Sequence, residues 1–287
     1  MNRRLAALAL CALVGASCSS DPGPVERADT TTTTAAPAGR AGGSGAGSST
    51  TGGRQRPTTT VFESRPGTSS VAPGDATLGD PGTNAPRYLR ARLSQAIRLQ
   101  VIVEPGAEPR QATIDRLRTL LASVSGKAVT VSGASLPSTG GRAWTAATIA
   151  SSAAERAPRL AGGVALLQLL FVTGTYGGDD GVLGISVNAG VAAVFDDRVS
   201  AAATGLVGPD RLELAVATHE VGHLLGLVDL YLHTGRADPE HPGHSSNPRS
   251  VMYWAVESDV VGDLLTGGPP VDFDETDRAD LATIRDG

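Results

Sequence analysis

Eleven residues, His219 to Asp229 (HEVGHLLGLVD), constrain this chain more than any other stretch. His219 and His223 stand four apart, so on a helix they share one face and their imidazoles can bind one metal ion. Glu220 falls beside that face, where its carboxylate can reach a water on such a metal. The flanking residues support a helix: Pro209 sits at its start and Gly226 just past its end, so the reading is an amphipathic helix over Pro209 to Leu225. Glycine accepts the left-handed conformation that ends a helix and turns the chain back. Asp229 follows three residues later, placed to return as a third ligand. Two nitrogens, one carboxylate oxygen and an open fourth position make a catalytic zinc site. The bare HExxH pattern arises by chance in about one chain in a hundred of this length, and the added Gly and Asp make it roughly a hundredfold rarer. His233, His241 and His244 lie in the polar loop downstream. Any of them could replace Asp229, His233 first, and all three otherwise suit a solvated loop along a cleft.

Composition limits what surrounds that helix. The net charge of −5 gives no basic field and argues against nucleic acid as a partner. Both cysteines, Cys11 and Cys18, fall near the N-terminus, which excludes a disulfide-stapled fold, a thiol nucleophile and a Cys-type zinc finger. Residues 1–17 form an export signal: Arg3 and Arg4, an apolar stretch from Leu5 to Val14, then Gly15, Ala16 and Ser17. The apolar run is too short to span a bilayer. Small residues directly before Cys18 resemble a bacterial lipoprotein signal, which implies that Cys18 is acylated and anchors the chain to the outer face of the cell membrane. Plain secretion is the alternative. Residues 18–89 read as a disordered tether rich in Thr, Ser, Gly and Pro, with an unbroken run from Thr30 to Thr34. Such a composition cannot bury enough apolar surface to offset chain entropy.

The folded part is expected over residues 90–287. Ile97 to Val103 alternates and reads as a strand. Apolar residues at Ile114, Leu117, Leu120 and Leu121 have helical spacing within 109–124. Further strands are expected at Ala128–Val131, Val164–Thr173, Val182–Val187 and Val191–Phe195, with a helix over Trp144–Ala157 and a terminal helix over Asp274–Arg285. This order suggests an α+β fold, a twisted mixed sheet with helices packed on it.

HEVGHLLGLVD resembles the HExxHxxGxxH/D signature of the metzincin metallopeptidases, whose zinc site rests on a methionine in a tight turn. Here Ser250-Val251-Met252-Tyr253-Trp254 stands in that place, and Met252 is one of only two methionines. The ending DFDETDRADLATIR is similar to the family's last helix. The resemblance covers about residues 95–287 and implies a metzincin-like zincin domain acting as a zinc-dependent endopeptidase on extracellular or cell-envelope proteins. His219, His223 and Asp229 would hold Zn²⁺, since only Asp229 has the family spacing among the third-ligand candidates. Most of the family has histidine at that position. Glu220 would serve as general base and Met252 as the floor of the site. Tyr253 would line the pocket or stabilise the oxyanion. Residues 181–194 would supply the edge strand on which an extended peptide pairs. Asp179-Asp180-Gly181 reads as a plain turn, with calcium binding (Ca²⁺) as the second reading. With no cysteine after Cys18, a thiol latch on the zinc is impossible. The competing function is a non-catalytic surface lipoprotein that keeps the zinc site for structure or partner binding.

Overall fold

Strand β1 (Ala96–Val103) is the second strand of a five-stranded sheet that carries the fold. In this computed structural model, residues 79–203, 207–261 and 268–287 are described. The export signal, Cys18 and most of the tether lie outside them. After β1 come helix α2 (Gln111–Ser125), β2 (Ala128–Ser135), the two-residue β3 (Ala143–Trp144), helix α3 (Ala146–Ala154), β4 (Val164–Val172), the short β5 (Thr175–Tyr176), β6 (Gly184–Asn188) and β7 (Val191–Phe195). Helices α4 (Asp196–Ala202), α5 (Pro209–Leu224) and α6 (Glu275–Asp286) follow, with a 3₁₀ turn at Trp254–Glu257 between the last two. Helix α1 (Ala85–Leu89) precedes β1. The sheet order is β2-β1-β4-β7-β6. Its first four strands are parallel, and only the edge strand β6 runs antiparallel, against β7.

Parallel strands joined by helices bury both faces of a sheet, and the core divides accordingly. Leu99, Val101, Leu167, Leu169 and Val194 face α1, α2, α5 and α6. Ile102, Leu170, Val172, Ala193 and Phe195 face α3 and Trp144. The α+β expectation is therefore corrected to a mixed α/β arrangement with a mostly parallel sheet covered on both sides. The near-continuous apolar run of β4 (VALLQLLFV) is the sequence mark of that double burial. Its one polar residue, Gln168, is buried, and donates to Gln100 Oε1 on β1 and to the carbonyl of Ala153 at the end of α3.

Two further boundaries move. The folded part begins before residue 90: Ala85, Tyr88 and Leu89 of α1 are fully buried, and Tyr88 donates to Leu166 O at 2.8 Å. Their small number among Pro, Gly and Thr hides them in the tether's composition. Trp144, expected to open a helix, lies in β3 instead, and α3 starts one residue after its cap Thr145. Among the described residues no helix is long and apolar enough to cross a membrane.

Candidate metal centre

Helix α5 is not a surface helix with one apolar stripe. Every residue from Ala215 to Leu224 is buried, so His219, Glu220 and His223 sit inside the protein, one at most 7% exposed. The helix ends at Leu224 with Leu225 as its cap, and Gly226 takes φ +82°, the conformation foreseen for it. A Cβ there would also strike Tyr231 and Ala85, so the chain needs glycine for space as well as for its torsion.

His219 directs Nδ1 at the carbonyl of Val251, 2.7 Å away. An N–H on Nδ1 donating there leaves Nε2 as a lone-pair donor. His223 brings its Nε2 to 3.0 Å from His219 Nε2. The third ring is His244: it stacks on His219 at 5.2 Å between centroids and meets His223 edge-on at 4.9 Å. Glu257, the last residue of the 3₁₀ turn, closes the group, with Oε1 2.9 Å from His244 Nε2 and Oε2 3.6 Å from His219 Nε2. One ligand atom from each of these four residues lies within 4.8 Å of the others. Neither ring nitrogen of His244 has an aligned hydrogen bond, and Nδ1 of His223 has none either.

The loop that carries His244 is pinned by backbone. Ser245 N donates to Met252 O at 2.8 Å, and Asp238 N donates to His244 O at 2.7 Å. Residues 250–253 form a tight turn, closed by Tyr253 N to Ser250 O and braced by Met252 N to Ser250 Oγ. Met252 is fully buried, and its sulfur lies directly against Gly222, where any Cβ would collide with it.

Asp229 lies elsewhere. Val228 and Asp229 both have positive φ, 51° and 65°, which turns the aspartate away from the cluster. Its Oδ1 accepts from Thr234 N at 2.7 Å and from Thr234 Oγ1 at 2.6 Å, and Oδ2 accepts from Ala237 N at 3.3 Å. Partial burial would raise its pKa, but these hydrogen bonds outweigh it and hold the carboxyl below its ordinary value. Asp229 thus folds the loop that delivers His244. His233 is exposed, and His241 stacks on Trp254 at 4.3 Å. Tyr253 is half-buried, tilted against Trp254. Asp179 accepts from Gly181 N within its own turn and Asp180 lies near Arg198, so the calcium reading has no support.

Glu220 occupies a pocket made for it. Ser186 Oγ on β6 donates to Oε2 at 2.8 Å, and the carboxyl faces that of Glu257, with which it shares a hydrogen bond. A Cβ on Gly184 would come within 2.6 Å of Oε1. Burial, then the charge of Glu257, raises the Glu220 pKa well above the ordinary carboxyl value. Burial works the same way on Glu257, but His244 and His219 overcome it and hold Glu257 ionised. Burial and the two neighbouring imidazoles keep His223 neutral.

The residues fit a zinc ion. Ligand atoms 2.0–2.1 Å from a tetrahedral centre stand about 3.3 Å apart, close to the 3.0, 2.9 and 3.6 Å separations found here. Imidazole nitrogens and carboxylate oxygens are both common zinc ligands.

No family model matches the sequence, and no curated protein matches it. Among solved structures, the chain is similar to archaemetzincin from Methanopyrus kandleri, at 19% identity and a TM-score of 0.45 over 67% of this chain and 97% of that one. It is also similar to archaemetzincin from Archaeoglobus fulgidus, at 17% identity and a TM-score of 0.35 over 66% of this chain and 99% of that one. A third is metalloproteinase-II from Bacteroides fragilis, at 14% identity and a TM-score of 0.39 over 73% of this chain and 57% of that one.

Proposed function

We propose that this chain is a metzincin-like zinc metallopeptidase that hydrolyses peptide bonds of extracellular or cell-envelope proteins, with His219, His223 and His244 as metal ligands and Glu220 as general base. The observation that carries this reading is the convergence of three imidazoles beside the buried carboxyl of Glu220. His244 takes the place that sequence spacing gave to Asp229. Bound among the imidazoles, zinc supplies a Lewis acid for the scissile carbonyl, a lowered pKa for water and a positive charge that favours ionised Glu220. Glu220 takes a proton from the attacking water and passes it to the leaving nitrogen. Ser186 holds Oε2, which leaves Oε1 for the proton. Val251 fixes the tautomer of His219. Met252 supports the helix from below and is not a ligand, and Tyr253 with Trp254 walls the cleft. The export signal and acylation of Cys18 place this domain on the outer face of the membrane, held off by the tether.

The second reading, a zinc site without catalysis, is favoured by one observation: four protein groups meet here, and closed four-ligand sites are the structural kind. A structural site has no use for Glu220. The discriminating experiment is metal analysis of the full chain with a peptide-library cleavage assay. Glu220→Gln should retain one zinc and lose cleavage by at least about a hundredfold. Equal cleavage by variant and wild type would sink the mechanism, and a zinc-loaded wild type that cleaves no peptide would support the second reading.

A further inference from the structure

Glu257 is absent from the HExxH pattern, yet it reaches the metal centre more closely than any carboxylate within that pattern. Its Oε1 lies 2.9 Å from His244 Nε2 and its Oε2 3.6 Å from His219 Nε2, and one of its oxygens lies within 4.8 Å of a ring nitrogen of each of the three histidines. With the three imidazoles at three corners of a tetrahedral metal, the Glu257 carboxylate would take the fourth, the corner that a catalytic site keeps for water. It also faces Glu220, on which its charge acts.

The backbone that delivers Glu257 occupies a second functional place. Leu183 N donates to Glu257 O at 2.8 Å, Asp259 N donates to Gly181 O at 3.0 Å, and Val182 and Ser258 form an antiparallel bridge. Residues 257–259 therefore pair with the chain leading into β6, the edge strand on which an extended peptide would add. One short segment thus fills both the fourth ligand corner and the start of the substrate edge. Buried Ala255 and Val256 anchor the 3₁₀ turn, whereas the Glu257 side chain is 25% exposed, so a rotation of that side chain alone can withdraw the carboxylate.

We propose that Glu257 is a fourth, displaceable protein ligand, a carboxylate latch that closes the metal centre at rest and is pushed aside when a peptide pairs along β6. This rests on the zinc-peptidase reading of the site, and it supplies by carboxylate what the lack of cysteine denies to a thiol. The test uses the full chain loaded with Co²⁺ and titrated with acetohydroxamate, followed by the visible spectrum of the metal. Wild type should bind hydroxamate weakly, because the probe must displace Glu257. Glu257→Ala and the isosteric Glu257→Gln should bind it at least about tenfold more tightly, and should lose Co²⁺ to a competing chelator at about tenfold lower chelator concentration. The Gln variant keeps the packing if Ala does not fold. Unchanged hydroxamate affinity in a cobalt-loaded Gln variant overturns the latch and leaves the three-histidine site standing. A wild-type chain that binds no cobalt overturns the site itself.

Discussion

The division of labour between His244 and Asp229 gives the sharpest test of the site. Asp229→Asn preserves side-chain size and, since Asn tolerates the left-handed region, also the +65° torsion. It removes the charge that accepts from Thr234 and Ala237. Charge-assisted hydrogen bonds contribute about 1.5–3 kcal/mol when buried. These face solvent, and the amide oxygen can still accept from Thr234, so the net loss should be about 1 kcal/mol. For a domain of this size that lowers Tm by about 2–4 °C. Metal stoichiometry should stay at one. His244→Ala should do the reverse. Disturbing a group behind a ligand costs about 10–100-fold in metal affinity, so deleting a ligand should cost more than about a hundredfold. Its imidazole pairs with Glu257, while its loop is held by backbone bonds at Asp238 and Ser245 that the substitution leaves in place. The assays are chelator competition for zinc and thermal unfolding of the metal-free chain. If Asp229→Asn loses zinc as His219→Ala does while His244→Ala keeps it, sequence spacing is right and the loop geometry fails.

Gly184→Ala should push Glu220 out of its pocket, because a methyl there comes within 2.6 Å of Oε1. Cleavage should fall at least about tenfold with zinc content unchanged, and full activity would refute the placement of the base. Ser250→Ala removes the hydroxyl that braces Met252 N, on the turn whose Val251 carbonyl orients His219. Zinc affinity should drop about tenfold, read by chelator competition, whereas an unchanged affinity would refute the relay. Asp277, buried on α6 beneath that turn, has its pKa raised from 3.8 to about 6 by burial and then by Asp274. A raised folded pKa means that the fold holds the proton more tightly than the unfolded chain. This stabilising contribution is complete below about pH 4 and is lost as pH rises to about 6. The shift amounts to about 3 kcal/mol at most. Urea unfolding of wild type and Asp277→Asn should therefore diverge between pH 4 and 7, with the variant gaining relative stability, and parallel curves would refute it.

Periodicity made the large elements legible. The alternation in 97–103, the spacing of Ile114, Leu117 and Leu121, and the apolar run of 164–172 each became the expected element. What the pattern did not reveal was layering. A strand buried on both faces and a helix buried all round from Ala215 to Leu224 show no alternation of polar and apolar residues, so α5 read as amphipathic and the fold as α+β. Helix α1 was missed for the opposite reason: five residues supply too little periodicity to register against a polar background.

The site divides along the same physical line. His219, Glu220 and His223 could be read because a helix converts spacing directly into direction. The third imidazole of the cluster comes from a loop, in which spacing fixes no direction. Two consecutive non-glycine residues at positive φ, Val228 and Asp229, reverse the chain just where the expected ligand stands. Nothing in HEVGHLLGLVD announces them. The available signal was downstream: Thr234, which an aspartate could bind locally, and a histidine close ahead of the turn containing Met252. Backbone pairing between Ser245 and Met252 brings His244 to the metal centre. Glu257 follows the same logic, since its reach depends on Leu183 and Gly181 holding residues 257–259 against the lead into β6. In this chain the helix places His219, Glu220 and His223, and backbone pairing around the turn at 250–253 brings His244 and Glu257 to them.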